Sequence, residues 1–373
     1  MEAEPETPSR VVLDPDGDVI LVVKDLDSTR SGEFVVSSKV LSLASPYFAA
    51  LTGPNFMEGQ QLRSGQHKQT PISLHEDDLD AMDSLLKILH FQSLGELSPK
   101  EIAMVAIQSK KYLCSTALRP WAQKWCGQGL DQPGISMSAV DKGHLILAAH
   151  LILPSDALGE FTEKIIVYLP RNFAADWKKS DIIQKHFPEE LIEKLSSCIR
   201  RTLMGMQKRL EHVEFHLQHQ SAYFEMVGEQ CLRCGSSDGN CCTDDRNGPS
   251  PRITVKKYCT QPCRVSDYFR ILAMVRLWPF SNSFLRPNVA VFDISQKAQN
   301  GLKEEMTLKH ICAGGLIYCP LLVSLRTAID NLKIDEESMG AILWAPEEPL
   351  DSDDDPSDEH GEDADGSEGD VSE

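Results

Sequence analysis

The stretch from residue 18 to residue 58 constrains the fold of this chain more than any other. It opens with an apolar, β-branched run at residues 19–23, and a second short run follows at residues 34–36. Turn-forming residues bound both runs, so they are predicted to be paired β-strands. Two short helices are predicted next, the first capped by a serine and the second opened by Pro46. Strands followed directly by helices predict an α+β fold.

A set of residues in this stretch has a characteristic spacing, from an aspartate before the first strand to a Tyr-Phe pair in the second helix. The set consists of Asp18, Phe34, Lys39, Ser42 or Leu43, Ser45, Tyr47 and Phe48. This pattern resembles the BTB/POZ domain, in the form found in fungal BTB domain-containing proteins, and the resemblance extends to about Cys126. It implies an N-terminal domain of short strands plus a helical half, serving protein–protein interaction.

The resemblance also nominates a partner-binding surface at Phe56, Met57 and Glu58. In BTB proteins a hydrophobic-x-Glu triplet at this place contributes to docking on a cullin scaffold of ubiquitin ligases. An exposed apolar anchor beside a carboxylate suits a transient interface, because the apolar group supplies burial and the charge supplies orientation. The alternative is that Phe56 and Met57 close the domain core.

The resemblance assigns Asp18 and Lys39 to the neighbourhood of the BTB dimer interface. BTB domains usually carry a histidine before the lysine, and the histidine and the aspartate share a polar pocket there. This chain has Ser38 in place of the histidine. A BTB homodimer is therefore left open as a partner, whereas the fold prediction is unaffected.

Charge and motifs limit the classes of function. The net charge is −19, and residues 351–373 hold twelve Asp or Glu and no Lys or Arg. Neither the tail nor the rest has the basic face that nucleic-acid binding requires. No apolar run is long enough to span a membrane, and no secretory signal is present, so we expect an intracellular protein of the nucleus or cytoplasm. No nucleophile elbow, phosphate-binding loop or dinucleotide fingerprint occurs, so an enzyme is not expected.

Composition and periodicity divide the chain into five parts. These are a disordered arm at 1–10, a BTB/POZ-like domain at 11–127, a helical connector at 134–187, a helical C-terminal domain at 188–345 with a Cys-rich insert at 231–263, and a disordered acidic tail at 346–373. The longest helix is predicted from residue 189 to about 224. Its apolar residues recur every three or four positions, which predicts either a coiled coil or, as the preferred interpretation, packing on the chain's own C-terminal domain.

The Cys-rich insert is the main candidate for a metal site. Six of the eleven cysteines lie between residues 231 and 263. A Cys-x-x-Cys pair, Cys231 and Cys234, precedes a second close pair, Cys259 and Cys263, and two such pairs can present four thiolates to a structural zinc ion. Cys241 and Cys242 lie between the pairs as alternative ligands. The competing interpretation is a set of free, partly buried thiols.

Two further groups contain potential metal ligands. Three histidines at helical spacing, His212, His216 and His219, could chelate a metal, but a solvated helix flank is the preferred interpretation. The second group consists of His310, Cys312 and Cys319. It indicates packing or an additional metal ligand.

Two functions follow from these observations. The first is a protein–protein interaction module, in its sharper form a substrate adaptor of a cullin-RING ubiquitin ligase. The second is a nuclear regulator whose Cys-rich zinc module contacts nucleic acid or chromatin. The second requires a shared basic face beside the cysteines, formed by Arg252, Lys256, Lys257 and Arg264.

Overall fold

The structure of the protein is a computed structural model. The described residues are 9–25, 30–64, 69–130, 137–232, 252–303, 310, 312 and 318–333. All of them fall within one compact unit. The predicted acidic tail, most of the predicted arm, and the cysteines at 234, 241 and 242 lie outside the described residues.

The N-terminal region contains a four-stranded mixed sheet in the order β1-β3-β2-β4. β2 pairs antiparallel with β3 and parallel with β4, and β1 pairs parallel with β3. The strands are β1 (Ser9–Val12), β2 (Val19–Asp25), β3 (Ser31–Val36) and β4 (Thr70–Asp77). β1 begins inside the segment that was predicted to be a disordered arm.

Burial along the sheet follows the strand period. Val19, Leu21 and Val23 of β2 are buried, and the residues between them are more exposed. Alternation of this kind arises because successive side chains point to opposite faces of a sheet. β4 is an edge strand, as predicted from Pro71, whose nitrogen cannot donate to a neighbouring strand.

Six helices follow or interrupt this sheet, which makes the region α+β as predicted. Ser45 ends α1 and caps α2, since its hydroxyl accepts a hydrogen bond from the Phe48 amide. α3 has only weak apolar periodicity, so its sequence gives little indication of a helix. The helices are α1 (Ser38–Ala44), α2 (Pro46–Leu51), α3 (Met57–Ser64), α4 (Leu79–Leu89), α5 (Pro99–Lys111) and α6 (Ser115–Leu130).

The rest of the described chain is helical apart from one hairpin. Its helices are α7 (Ala139–Ile152), α8 (Ser155–Ile166), α9 (Phe173–Trp177), α10 (Asp181–His186), α11 (Glu189–Gln218), α12 (Gln261–Met274), α13 (Phe280–Phe284), α14 (Val291–Gln296) and α15 (Pro320–Asn331). A π-helical segment, Lys297–Leu302, continues α14. No helix in the described part of the chain is long and apolar enough to cross a membrane.

The apolar stripe of α11 is buried within the chain itself. Leu203, Met206 and Leu210 of that stripe are almost fully inaccessible. The Tyr268 hydroxyl of α12 donates a hydrogen bond of 2.6 Å to the Leu210 carbonyl, which joins the two helices. Intramolecular packing therefore accounts for the periodicity of this helix.

An antiparallel hairpin interrupts the helices in the region of the Cys-rich insert. β5 (Phe224–Cys231) pairs with β6 (Arg252–Cys259), so that Phe224 lies opposite Cys259 and Cys231 opposite Arg252. The hairpin was not predicted, although the alternation of Ile253 and Val255 is a β-strand signal. Its register places Cys259 at the base, next to α12.

Candidate metal centre

Four side chains that can bind a metal converge at the base of the hairpin. The ligand atoms of Cys259, His310, Cys312 and Cys319 all lie within 4.8 Å of one another. Cys259 Sγ is 3.9 Å from Cys319 Sγ and 3.5 Å from His310 Nε2. Cys319 Sγ is 3.3 Å from the same nitrogen. This Cys3His cluster could hold a metal ion.

The spacing of these atoms fits tetrahedral coordination. With zinc–sulfur bonds of about 2.3 Å and zinc–nitrogen bonds of about 2.0 Å, the edges of a tetrahedron are about 3.8 Å between two sulfurs and about 3.5 Å between sulfur and nitrogen. The observed Cys259–Cys319 and Cys259–His310 separations differ from those edges by no more than about 0.2 Å. Cys259, His310 and Cys319 therefore need little rearrangement to accept an ion of this size, and the Cys312 sulfur lies within 4.8 Å of each of their ligand atoms.

Distant parts of the chain supply the four ligands. Cys259 is the last residue of β6, and Cys319 is the residue immediately before α15. His310 lies 51 residues beyond Cys259 along the chain. Cys259, His310 and Cys319 are buried, and Cys312 is partly exposed. A bound ion would consequently connect the hairpin to the start of α15.

Asp267 of α12 orients the histidine of the cluster. His310 Nδ1 lies 2.7 Å from Asp267 Oδ2, and the other carboxylate oxygen is 2.7 Å from Arg270 Nη2. The carboxylate accepts a hydrogen bond from the protonated Nδ1 of His310. Nε2 is then unprotonated, and its lone pair is directed toward the sulfurs of the cluster. Carboxylate support of this kind fixes the tautomer and ring orientation of metal-binding histidines.

Arg264 contacts the cluster from the other side and is fully buried. Its Nη1 donates to the carbonyls of Ala222 and Cys259 at 2.7 and 3.2 Å, and lies 3.8 Å from Cys259 Sγ. Its Nη2 donates to the Gln220 carbonyl at 2.7 Å. A guanidinium is permanently charged, so the cluster lies in a locally positive environment.

Burial disfavours the thiolate form of the cysteines, whereas the positive charge of Arg264 favours it. In the metal-free protein, desolvation raises the pKa of both Cys259 and Cys319 above the ordinary thiol value. Both groups are then protonated at neutral pH, so metal binding has to displace their protons.

Three of the four cysteines that the sequence grouped as a zinc site, Cys231, Cys259 and Cys263, are described, and the structure does not bring them together. Cys231 and Cys259 lie at opposite ends of the paired strands, and seven residues of β-strand separate those ends by about 23 Å. Cys263 is exposed and does not belong to the cluster. Cys234 lies outside the described residues. Among the described cysteines of that predicted site, Cys259 alone is in the cluster.

The other three ligands belong to the group that was interpreted as packing or as an additional metal ligand. The local signal was a His-x-Cys pair at residues 310–312 with a third ligand seven residues further on. Sequence spacing could not assign Cys259 to this group, because its contact with them is non-local.

The basic residues beside the cysteines do not share a surface. Arg264 is buried, and Lys256 forms an ion pair of 2.7 Å with Glu225. Lys256 and Lys257 are consecutive in β6, so they point to opposite faces of the hairpin. The three histidines of α11 are exposed and were not found in a metal-binding group among the described residues.

The BTB-like partner-binding residues lie on the surface of the N-terminal region. Phe56 and Met57 are 47% and 69% exposed, and Glu58 is half-buried. Asp18 accepts hydrogen bonds from the Ser38 amide and hydroxyl at 2.8 and 2.7 Å, and Lys39 is exposed. Ser38 therefore binds the Asp18 carboxylate through both its amide and its hydroxyl.

Comparisons with known proteins add no relative to these observations. No protein-family model matches the chain, and no curated protein matches it. The interpretation of the site consequently depends on its geometry and chemistry.

Proposed function

We propose that this chain is a non-catalytic protein–protein interaction adaptor of the BTB/POZ type, whose C-terminal half is held by a structural zinc ion. The observation that carries the proposal is the Cys3His cluster of Cys259, His310, Cys312 and Cys319. Four protein ligands complete the coordination of zinc and leave no open position for substrate, which is the pattern of structural rather than catalytic sites.

The chemistry of the ligands favours zinc over other common divalent ions. Thiolate and imidazole ligands suit zinc, whereas magnesium, calcium and manganese prefer carboxylate, carbonyl and water oxygens. The nearest carboxylate, that of Asp267, interacts with His310 Nδ1 and Arg270 instead. When bound, zinc would supply a cross-link among the hairpin, residues 310 and 312, and the start of α15.

The zinc assignment is tested by counting bound metal in two cysteine variants of the full chain. Native mass spectrometry of Cys319→Ser is expected to show one zinc ion fewer than the unmodified protein. Cys263→Ser is the matched control, because Cys263 is exposed and outside the cluster, and it should retain full zinc content. Equal zinc content in the unmodified protein and Cys319→Ser would contradict the assignment.

The N-terminal surface supports the adaptor part of the proposal. Phe56 and Met57 expose apolar surface beside Glu58 at the start of α3. An apolar anchor with an adjacent carboxylate is the combination that the BTB resemblance assigns to cullin docking. We therefore take the sharper form of the proposal to be a substrate adaptor of a cullin-RING ubiquitin ligase.

A binding assay against a purified cullin N-terminal region tests this surface. Phe56→Ala is expected to weaken binding by about tenfold or more, because buried aromatic anchors carry much of the energy of an interface. Phe91→Ala is the control, since Phe91 is 93% exposed and outside the triplet. Failure of the unmodified, folded chain to bind would refute the cullin assignment and leave the zinc assignment intact.

A further inference from the structure

Arg264 is a buried charge that no ion pair joins to a carboxylate within the described residues. Its side chain is fully inaccessible, and among the described residues no ion pair joins it to Asp or Glu. Its Nε is also buried and has no hydrogen-bond partner in the described part of the chain. Buried charges in proteins are normally paired or placed beside a metal centre, because an isolated charge is poorly solvated there.

The hydrogen-bond partners of the Arg264 guanidinium differ in whether they can carry a negative charge. Three are backbone carbonyls, of Gln220, Ala222 and Cys259, which offer only dipoles. The fourth is Cys259 Sγ, 3.8 Å from Nη1. A cysteine sulfur can carry a full negative charge, and it does so when it binds a metal.

The charge of an occupied centre follows from its ligands. Three thiolates and one neutral imidazole around a divalent ion give a net charge of about −1. The imidazole is neutral because Nε2 binds the metal while Nδ1 donates to Asp267, and Arg270 in turn pairs with that carboxylate. One cationic group is therefore needed to neutralise the centre, and Arg264 occupies that place.

We propose that Arg264 is the charge-compensating residue of the metal centre, and that its positive charge makes the site selective for a divalent ion bound through three thiolates. This inference rests on the proposed zinc site. It makes Arg264 a positioning residue for the ion, although Arg264 is not itself a ligand.

A purely mechanical role for Arg264 is the competing explanation. The guanidinium spans the segment after α11 and the end of β6, and its planar fork could serve only to fasten them. The two explanations differ for Arg264→Lys. Lysine keeps the positive charge but lacks the rigid multidentate fork, so it preserves charge compensation and loses the fastening.

The test compares three variants of the full chain, Arg264→Lys, Arg264→Met and Lys256→Met. Lys256→Met is the matched control, because it removes an exposed cation of the hairpin that ends at Cys259. Zinc affinity is measured by competition with a chelator, and thiolate count by the sulfur-to-metal charge-transfer absorption of the cobalt(II) form. Cys319→Ser identifies the part of each signal that belongs to the cluster.

Charge compensation predicts a specific order of affinities. Arg264→Met should lose about 10–100-fold in zinc affinity, the range for residues that support metal ligands. Arg264→Lys should stay within about threefold of the unmodified protein, a difference well below the 1.4 kcal/mol that corresponds to tenfold. Lys256→Met should be unchanged, and the cobalt spectrum of the unmodified chain should report three thiolates.

Other outcomes would distinguish failure of the proposed role of Arg264 from failure of the proposed zinc site. Equal affinities of Arg264→Met and the unmodified chain would overturn the role of Arg264 and leave the zinc site standing. A loss of affinity in Arg264→Lys as large as in Arg264→Met would assign Arg264 to mechanical fastening. If Arg264→Met does not fold, the lysine variant alone decides. Absence of a Cys319-dependent cobalt signal in the unmodified chain would refute the zinc site, and the role of Arg264 with it.

Discussion

At the scale of single residues, the proposed metal centre would be supported by side chains that are not ligands. Asp267 and Arg264 lie three residues apart on α12 and contact different parts of the Cys3His cluster. Asp267 binds the far nitrogen of His310, whereas Arg264 approaches Cys259. The single helix α12 therefore supplies both supports, and its position relative to the hairpin is as important as the ligands themselves.

Removing the carboxylate support of His310 should weaken metal binding without unfolding the protein. Asp267→Ala is expected to lower zinc affinity by about 10–100-fold, because the histidine ring loses the group that fixes its tautomer and orientation. Chelator competition measures the change, and circular dichroism checks the fold. Asp330→Ala is the control, since Asp330 is an exposed acid that pairs with Lys333. Unchanged affinity in Asp267→Ala would show that His310 is not a ligand.

At the scale of elements, local patterns predicted helices better than strands. The helices at 99–111 and 139–152 combine a serine cap with a dense set of apolar residues, and the helix predicted from residue 189 to about 224 runs from 189 to 218. The hairpin and α3 were missed. β5 and β6 are joined by pairing across a long insertion, so neither strand's signal is strong alone, and α3 has a weak apolar face.

Contacts between residues that are distant in sequence also limited how much of the candidate site could be predicted. A zinc site using Cys259 was expected, because a cysteine-rich segment has ligand-like spacing. Its partners could not be assigned, because the contact between Cys259 and Cys319 spans 60 residues. The hairpin register that separates Cys231 from Cys259 is a property of strand pairing, which sequence spacing does not reveal.

Two glycines inside helices should respond in opposite ways to alanine. A Cβ at Gly143 of α7 would lie 2.6 Å from ring atoms of Trp177, whereas a Cβ at Gly205 of α11 would have no atom within 4 Å. Gly143→Ala is expected to destabilise the protein by about 1–3 kcal/mol through overpacking. Gly205→Ala should stabilise it by about 1 kcal/mol through helix propensity. Urea denaturation measures both, and equal shifts would contradict the α7–α9 packing.

At the scale of the whole molecule, buried and half-buried neutral histidines connect stability to pH. Burial lowers the pKa of His90, His144 and His150 below the ordinary histidine value. The unfolded chain therefore binds more protons than the folded chain in mildly acidic solution. These neutral histidines stabilise the folded protein fully above about pH 6.5. The stabilisation is lost as the pH falls below that value toward their lowered pKa values.

A variant of one such histidine isolates this effect from other acid-sensitive groups. His150 packs against Phe187, and its Nδ1 is buried with no hydrogen-bond partner in the described part of the chain. His150→Phe removes the titrating group and keeps an aromatic ring. The loss of urea resistance between about pH 7.5 and pH 5.5 should be smaller in His150→Phe than in the unmodified protein. Identical losses would show that His150 does not contribute.

We propose that Cys259, His310, Cys312 and Cys319 together bind one zinc ion. X-ray absorption at the zinc edge, with the full chain loaded with one equivalent of zinc, reports the ligands of that ion. Three sulfur neighbours at about 2.3 Å and one nitrogen at about 2.0 Å are expected. A shell of four sulfurs, or a shell without sulfur, would refute this coordination.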